Sequence, residues 1–223
     1  MVLGPALEAQ ERANRFSWGL VAGTSVTTAP STRCVDGLTS ITYFRVIGKG
    51  TCARSELGTK VRPAFGVSAA IRAAGSLTIS TDLLLNVKGH SGGRFCVTPS
   101  NGVTDCSMQV GSESLTYLEL VPSVRYTHAE SRVRPFVAVG GGAALLAFCS
   151  IKSRNWAGWD QCEEARSFDL LATGSLGVTL GTNERWSLQV RYARGFLNTW
   201  VGTPFGGEHR SVSFLLGTRV GRS

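Results

Sequence analysis

Residues 186–193 read WSLQVRYA, and in this stretch large apolar side chains alternate with small or polar ones. The apolar positions are Trp186, Leu188, Val190 and Tyr192. Strict alternation is typical of a β-strand with two unlike faces. In a soluble barrel the apolar face would fill the interior, whereas in a membrane barrel it would face lipid. The rest of the chain decides between these two orientations.

The 223-residue chain is apolar and poor in charge. Hydrophobic residues make up 43% and charged residues 17%, with 27 glycines, whereas an average soluble domain has about 25% charged residues. No stretch of the sequence approaches the ~20 consecutive apolar residues of a membrane-spanning helix. The composition therefore favours β structure with many tight turns.

The formal net charge is +8, from 23 Lys+Arg against 15 Asp+Glu. An excess of basic residues can bind nucleic acid or anionic lipid headgroups, or it can reflect internal arginines that face carboxylates. The arginines are scattered along the chain rather than clustered. We therefore expect no nucleic-acid partner.

Strand-like segments and connection lengths together predict the fold. Eight segments carry the strand pattern, namely residues 15–28, 60–73, 75–89, 113–127, 133–149, 166–181, 185–200 and 210–221. Each is long enough to cross a membrane when tilted, which takes ~9–11 residues. Longer connections alternate with short ones, as in outer-membrane barrels. The sequence thus predicts an all-β, eight-stranded antiparallel up-and-down transmembrane β-barrel.

The second face of these segments indicates which side is inside. It carries Gly, Ala and Ser with a few charges, which is too small and too sparsely charged for a solvated exterior. It fits a narrow lumen, so the apolar face is expected to face lipid. A soluble lipocalin-like carrier is the alternative, and it would need the opposite orientation.

Aromatic residues near the segment ends predict two interfacial girdles. The girdle at the short-turn end is expected to contain Phe16, Trp18, Tyr126, Phe136 and Trp186. The girdle at the long-loop end is expected to contain Tyr117, Phe148, Phe168, Trp200 and Phe214.

Charged residues on the inward face predict an ion network that fills the lumen. The candidates are Arg62, Arg72, Asp82, Lys88, Glu119, Arg125, Asp169, Arg191 and Arg219. Because an isolated buried charge is costly, the three carboxylates are expected to contact the inward arginines. An interior that side chains just fill makes a wide pore unlikely.

The six cysteines predict three local disulfides. Cys34 and Cys52, Cys96 and Cys106, and Cys149 and Cys162 each flank or edge one polar connection. Disulfides place the chain in an oxidising compartment. No close CxxC spacing or Cys/His mixture is present, so we expect no metal and no cofactor. Six reduced, buried cysteines remain the alternative.

Two motifs resemble bacterial outer-membrane β-barrel domains. Residues 117–145, YLELVPSVRYTHAESRVRPFVAVGGGAAL, are similar to a strand-turn-strand unit of that family, and WSLQVRYARGFLN (186–198) resembles its penultimate strand. The overall shape is similar to that of the small OmpA/OmpX-like barrels. The resemblance implies a location in the bacterial outer membrane, with long loops extracellular and termini periplasmic.

The N-terminal stretch MVLGPALEAQERANR lacks the basic and apolar regions of an intact signal peptide. We expect residues 1–14 to form a periplasmic segment and residues 15–223 to form a single barrel domain.

The leading functional interpretation is a non-enzymatic membrane anchor or surface-interaction protein that acts through its stapled loops. Expected partners are outer-membrane lipid or lipopolysaccharide and an envelope protein. The alternatives are a small-solute channel, a subunit of a larger envelope complex, or a lipid-modifying enzyme. For the enzyme, His90 with Ser91 and His128 with Glu130 are candidates, but no nucleophile-elbow pattern supports them.

Overall fold

The computed structural model describes most of the strand segments of the chain. The described residues are 16–28, 32–35, 51–57, 59–89, 91, 93–98, 105–110, 112–128, 132–152, 162, 165, 167–181, 185–197 and 209–222. Within these ranges there is no helix long and apolar enough to span a membrane. The predicted segment 1–14 lies outside the described residues.

Strands account for nearly all of the described residues. They are β1 (Phe16–Thr28), β2 (Thr32–Val35), β3 (Thr51–Leu57), β4 (Lys60–Ala74), β5 (Leu77–Lys88), β6 (Gly93–Thr98), β7 (Asp105–Val110), β8 (Ser112–Thr127), β9 (Val133–Lys152), β10 (Phe168–Leu180), β11 (Trp186–Gly195) and β12 (Arg210–Arg222).

Eight of these strands close into an antiparallel barrel in the order β1-β12-β11-β10-β9-β8-β5-β4. Barrel neighbours follow one another along the chain, and β1 pairs with β12 to close the ring. The predicted up-and-down barrel is therefore confirmed. The largest differences in strand ends are two: β11 stops at Gly195 rather than residue 200, and β9 continues to Lys152 rather than ending at residue 149; the other ends agree within two residues.

The short connections and the long ones lie at opposite ends of the barrel, named here the short-turn end and the long-loop end. At the short-turn end, β4 turns directly into β5 at Gly75, whose φ of 46° lies in the left-handed region that favours glycine. The first two long connections contain the other four strands.

These four strands form a second sheet, in the order β2-β3-β6-β7, which is named here the loop sheet. The gap between β3 and β4 is only residues 58–59, and residue 111 alone separates β7 from β8. The loop sheet therefore continues directly from the barrel wall. Its strands are four to seven residues long and polar, so the sequence pattern predicts loops where the structure has strands.

The apolar face of the wall points outward. In the stretch 186–193, Trp186, Leu188, Val190 and Tyr192 are 43–48% exposed, whereas Arg191 and Ala193 are buried. β8 and β10 show the same alternation. This arrangement is that of a transmembrane barrel, and it is the reverse of a soluble carrier barrel.

Exposed aromatics lie near both ends of the wall, with two corrections to the prediction. Phe16, Trp18, Tyr126, Trp186, Phe148, Phe168 and Phe214 are exposed, while Trp200 lies outside the described residues. Phe136 and Tyr117 are buried in the lumen, so their assignment to the girdles is wrong. Both residues alternate with outward apolar neighbours, such as Val137 and Leu118, and must therefore point inward.

Candidate functional site: the lumen and the loop sheet

An ion pair crosses the middle of the lumen. Arg191 Nη2 donates to Asp82 Oδ2, and both residues are 4% exposed. Their strands, β11 and β5, lie four positions apart in the ring of eight and thus on opposite walls. The Gln189 side-chain amide lies 3.1 Å from Ser175 Oγ, and with its oxygen turned toward Arg191 it accepts hydrogen bonds from Nε and Nη2 of that arginine at 3.1 Å. The predicted lumen residues Asp82 and Arg191 are therefore brought together.

An aromatic contact lies toward the short-turn end. The Arg125 guanidinium lies 4.1 Å from the centroid of the Phe136 ring, a distance at which the ring face attracts a cation. Phe136 faces Gly177 in the β9–β10 register, and a Cβ at Gly177 would lie 2.5 Å from the ring. The absence of a side chain at Gly177 therefore makes room for Phe136 in the lumen.

A second group of charges lies toward the long-loop end. Lys88 Nζ contacts Glu119 Oε1 at 2.7 Å, and Asn86 Nδ2 donates to the same oxygen at 3.3 Å. Lys88 also lies 5.0 Å from the centroid of the Tyr117 ring, and the rings of Tyr117 and His209 meet edge to face at 6.2 Å. Tyr117 lies on β8, and His209 directly precedes β12. Since these two strands are also four positions apart in the ring, this aromatic contact is a second bridge across the lumen.

Two of the three carboxylates have partners other than the predicted arginines. Glu119 contacts Lys88, because the two residues face the lumen from the adjacent strands β8 and β5. Asp169 accepts a hydrogen bond from the Leu197 backbone N–H at 3.0 Å. A Cβ at Gly195 would lie 2.1 Å from Asp169 Oδ2, so this glycine leaves room for the carboxylate.

The remaining predicted lumen arginines lie toward the two ends of the barrel. Arg62 Nη2 donates to the Glu113 carbonyl oxygen at 3.2 Å near the long-loop end. Arg219 is partly buried near the short-turn end and lines the same cavity as Arg125. Arg72 is exposed beside the β4–β5 turn, so its predicted placement inside the lumen is wrong. It lies at the rim of the barrel, where the wall ends and no longer encloses a side chain.

The long-loop end of the lumen is covered by part of the connection between β9 and β10. Ala165 is buried and packs in a cluster with Leu115, Tyr117 and Leu171. Its N–H donates to the Cys162 carbonyl oxygen at 3.2 Å. Cys162 is bonded to Cys149 of β9, which confirms the predicted disulfide. This cross-link ties the part of the connection around Cys162 and Ala165 to β9 at the barrel mouth.

The other cysteines lie in the loop sheet. Cys34 and Cys52 are direct register partners in the β2–β3 ladder. Cys96 is disulfide-bonded, and Cys106 falls where the β6–β7 register is irregular. The side chains of Cys34, Cys52 and Cys106 lie outside the described residues, so these two pairings stay predictions.

The candidate enzyme residues are only partly described. His128 and Ser91 are exposed, whereas His90 and Glu130 lie outside the described residues. Within the described part of the chain no group of three His, Cys, Asp or Glu residues could hold a metal ion.

Three features define the class of protein to which this fold belongs. They are a closed ring of eight antiparallel strands, an apolar outer face with exposed aromatics toward both ends, and a lumen crossed by side chains. This is the class of small eight-stranded outer-membrane β-barrels. No protein-family model matches the chain, and no curated protein matches it.

Solved structures with a similar course of the chain include three outer-membrane proteins. The outer membrane enzyme PagL is 13% identical, with 92% of this chain and 99% of that chain covered and a TM-score of 0.44. Neisserial surface protein A (NspA) is 14% identical, with 92% and 97% covered and a TM-score of 0.46. OprG from Pseudomonas aeruginosa is 11% identical, with 93% and 97% covered and a TM-score of 0.46. None of these similarities carries over an activity.

Proposed function

We propose that this chain is a non-enzymatic outer-membrane protein whose barrel anchors the loop sheet as a surface for binding a partner. The observation that carries the proposal is that three neighbouring wall strands, β4, β5 and β8, are each separated by only one to four residues from three neighbouring strands of the loop sheet, β3, β6 and β7. A sheet that grows out of a closed barrel is held in one orientation. Such rigidity favours binding, because little conformational freedom is then lost on association.

The proposed orientation places the long-loop end outside the cell and the short-turn end in the periplasm. Outer-membrane barrels have short periplasmic turns and longer extracellular loops. The disulfide between Cys149 and Cys162 lies at the long-loop end and suits an oxidising compartment.

The filled lumen favours an anchor over a channel. Asp82 and Arg191 bridge opposite walls at one depth, and Tyr117 and His209 do so nearer the long-loop end. Lys88 and Glu119 fill the space beside the second bridge. A solute would have to displace buried, hydrogen-bonded ions, which is energetically costly.

The chemistry of the loop sheet favours an acidic partner. Its strands carry Arg33, Arg54 and Arg94 against Glu56 and Asp105, and the connection between β2 and β3 adds Arg45 and Lys49 against Asp36, so that cations outnumber anions by five to three. Arginine matches phosphate and carboxylate groups with paired donors. The proposed partners are therefore lipopolysaccharide phosphates or an acidic patch of an envelope protein.

Binding can be tested with the full-length protein reconstituted in phosphatidylcholine vesicles. Soluble lipopolysaccharide is titrated onto the vesicles, and a variant with residues 29–58 replaced by a short turn is compared with the wild type. A matched control shortens the connection 198–208 instead, which leaves the loop sheet intact. The proposal predicts weakened binding for the first variant alone, with both variants still showing the heat-modifiable gel migration of a folded barrel.

Three outcomes would contradict the proposed function. Equal binding by both shortened variants would remove the loop sheet from the interaction. Protease cleavage of the long connections only after the outer membrane is permeabilised would reverse the orientation. A steady open conductance in planar bilayers would indicate a channel, and loss of acyl chains from the added lipopolysaccharide would indicate an enzyme.

A further inference from the structure

A polar cavity opens inside the lumen near the short-turn end, away from the loop sheet. Its volume is about 50 Å³, and its lining includes Ser17, Asp82, Arg125, Arg185, Gln189 and Arg219. A water needs roughly 10–15 Å³ of such space, so the cavity has room for several waters or for one compact ion. Nothing in the proposed surface function uses this cavity.

The sequence at the short-turn end of the barrel is rich in positive charge. Four segments lead into and out of the short turns or to the C-terminus, namely 68–82, 122–138, 176–190 and 214–223. Besides Asp82, they contain two glutamates and seven arginines. The arginines are Arg72, Arg125, Arg132, Arg134, Arg185, Arg219 and Arg222. Asp82 is already engaged by Arg191. Within these four segments arginines therefore outnumber glutamates by seven to two.

The cavity lining is arranged to favour an anion. Arg125 is held against the Phe136 ring, which fixes its guanidinium plane within the lumen. Arg219 approaches from β12 and Arg185 from the start of β11, so three guanidinium groups reach the cavity from different parts of the wall. Planar guanidinium donors match the oxygens of phosphate or carboxylate bidentately, and partial exclusion of water strengthens the attraction.

We propose that the short-turn mouth of the lumen is a binding site for a phosphate-type oxyanion. Arg219 and Arg125 bind the oxyanion from within the lumen, and Arg185 binds it from the rim. The anion enters from the short-turn side, since the ion pair of Asp82 and Arg191 blocks the lumen above the cavity. It is either free phosphate or the phosphate of a lipid headgroup that reaches around the rim.

Isothermal titration with inorganic phosphate tests the site in the folded, full-length protein in a zwitterionic detergent whose headgroup carries no phosphate. Arg219→Gln removes a donor inside the cavity, and Arg185→Gln removes one from an exposed position where folding is not at risk. Arg62→Gln is the matched control, because it removes an inward arginine at the opposite end of the lumen. Heat-modifiable gel migration verifies that each variant is folded.

The expected result is saturable binding that Arg219→Gln and Arg185→Gln each weaken by about tenfold, in line with the loss of one charge-assisted hydrogen bond. Arg62→Gln is expected to retain the affinity of the wild type. Absence of saturable heat in the wild type, or equal weakening by Arg62→Gln, would overturn the site and leave only nonspecific attraction to a basic chain.

A second arm identifies the source of the anion. The titration is repeated in phosphatidylcholine vesicles with and without phosphatidylglycerol. A lower apparent affinity in the anionic vesicles shows that lipid headgroups compete for the site, whereas an unchanged affinity shows that it takes free phosphate. Either result supports an oxyanion site, provided that Arg219→Gln weakens the binding.

Discussion

Asp82 and Arg191 are 109 residues apart in sequence and form an ion pair across the full width of the barrel. They extend from strands on opposite walls, and both are almost completely buried. This single contact therefore joins two opposite walls of the ring in the middle of the lumen.

Removing one member of this pair should strongly destabilise the barrel. Asp82→Asn or Arg191→Met would leave the other charge buried without its partner, which costs about 3–5 kcal/mol in comparable cases. The free energy of unfolding, measured by urea titration in phosphatidylcholine vesicles, should fall by about that amount. The double variant should lose less than the sum of the two single losses, because it leaves no uncompensated ion. Strict additivity would show that the two side chains do not interact.

The space opposite Phe136 should be sensitive to a single methyl group. In Gly177→Ala the new Cβ would meet the Phe136 ring at 2.5 Å and the Leu188 carbonyl oxygen at 2.4 Å. Overpacking of this kind typically costs about 1–3 kcal/mol, and the same unfolding titration measures it. Gly174→Ala is the control on the same strand, since its Cβ would meet nothing within 4 Å. Similar losses in both variants would point to a general effect of alanine in β10.

The disulfide between Cys149 and Cys162 should stabilise the covered mouth of the lumen. It closes a loop with a sequence separation of 13 residues, for which chain entropy predicts about 3 kcal/mol. The double variant Cys149→Ser and Cys162→Ser should therefore unfold at a lower urea concentration than the wild type. It should also be cleaved faster by protease between β9 and β10. Added reductant should destabilise the wild type more than this variant, and an equal effect on both would argue against the cross-link.

A charged side chain on the outer face should lower the free energy of unfolding by an amount that depends on its depth in the membrane. Leu176 is 65% exposed in the middle of β10, and Val133 is 52% exposed at the start of β9. An arginine facing lipid costs about 2–4 kcal/mol at the midplane and about 0–1 kcal/mol near an interface. Leu176→Arg should therefore reduce stability in vesicles far more than Val133→Arg. Equal, small effects would mean that this face does not contact lipid.

Alternation along single strands was enough to predict the wall. It assigned the faces of β8, β10 and β11, because a closed barrel separates two environments and each residue must face one or the other. The same rule, applied to Phe136 and Tyr117, would have placed both in the lumen. Their position near a strand end predicts the girdles instead, but this criterion is weaker than the identity of their neighbours.

The specific contacts could not be predicted from alternation. The pairing of Asp82 with Arg191 depends on which strands are diametrically opposed and on the register around the ring, and neither follows from the pattern within one strand. Lys88 reaches Glu119 because of their placement on neighbouring strands. The loop sheet was missed because its strands are short, and its pairing of β3 with β6 joins two separate connections.

The direct continuation of β3 into β4 has a mechanical consequence. A pull on the loop sheet along this strand is transmitted parallel to the strand axis into the wall, where β4 is hydrogen-bonded to β1 on one side and to β5 on the other. Such a force loads many ladder hydrogen bonds in shear at once, instead of peeling them apart one after another. A partner bound to the sheet would therefore pull against the whole height of the membrane-embedded wall, and the attachment would resist tension far better than one made through a hinged loop.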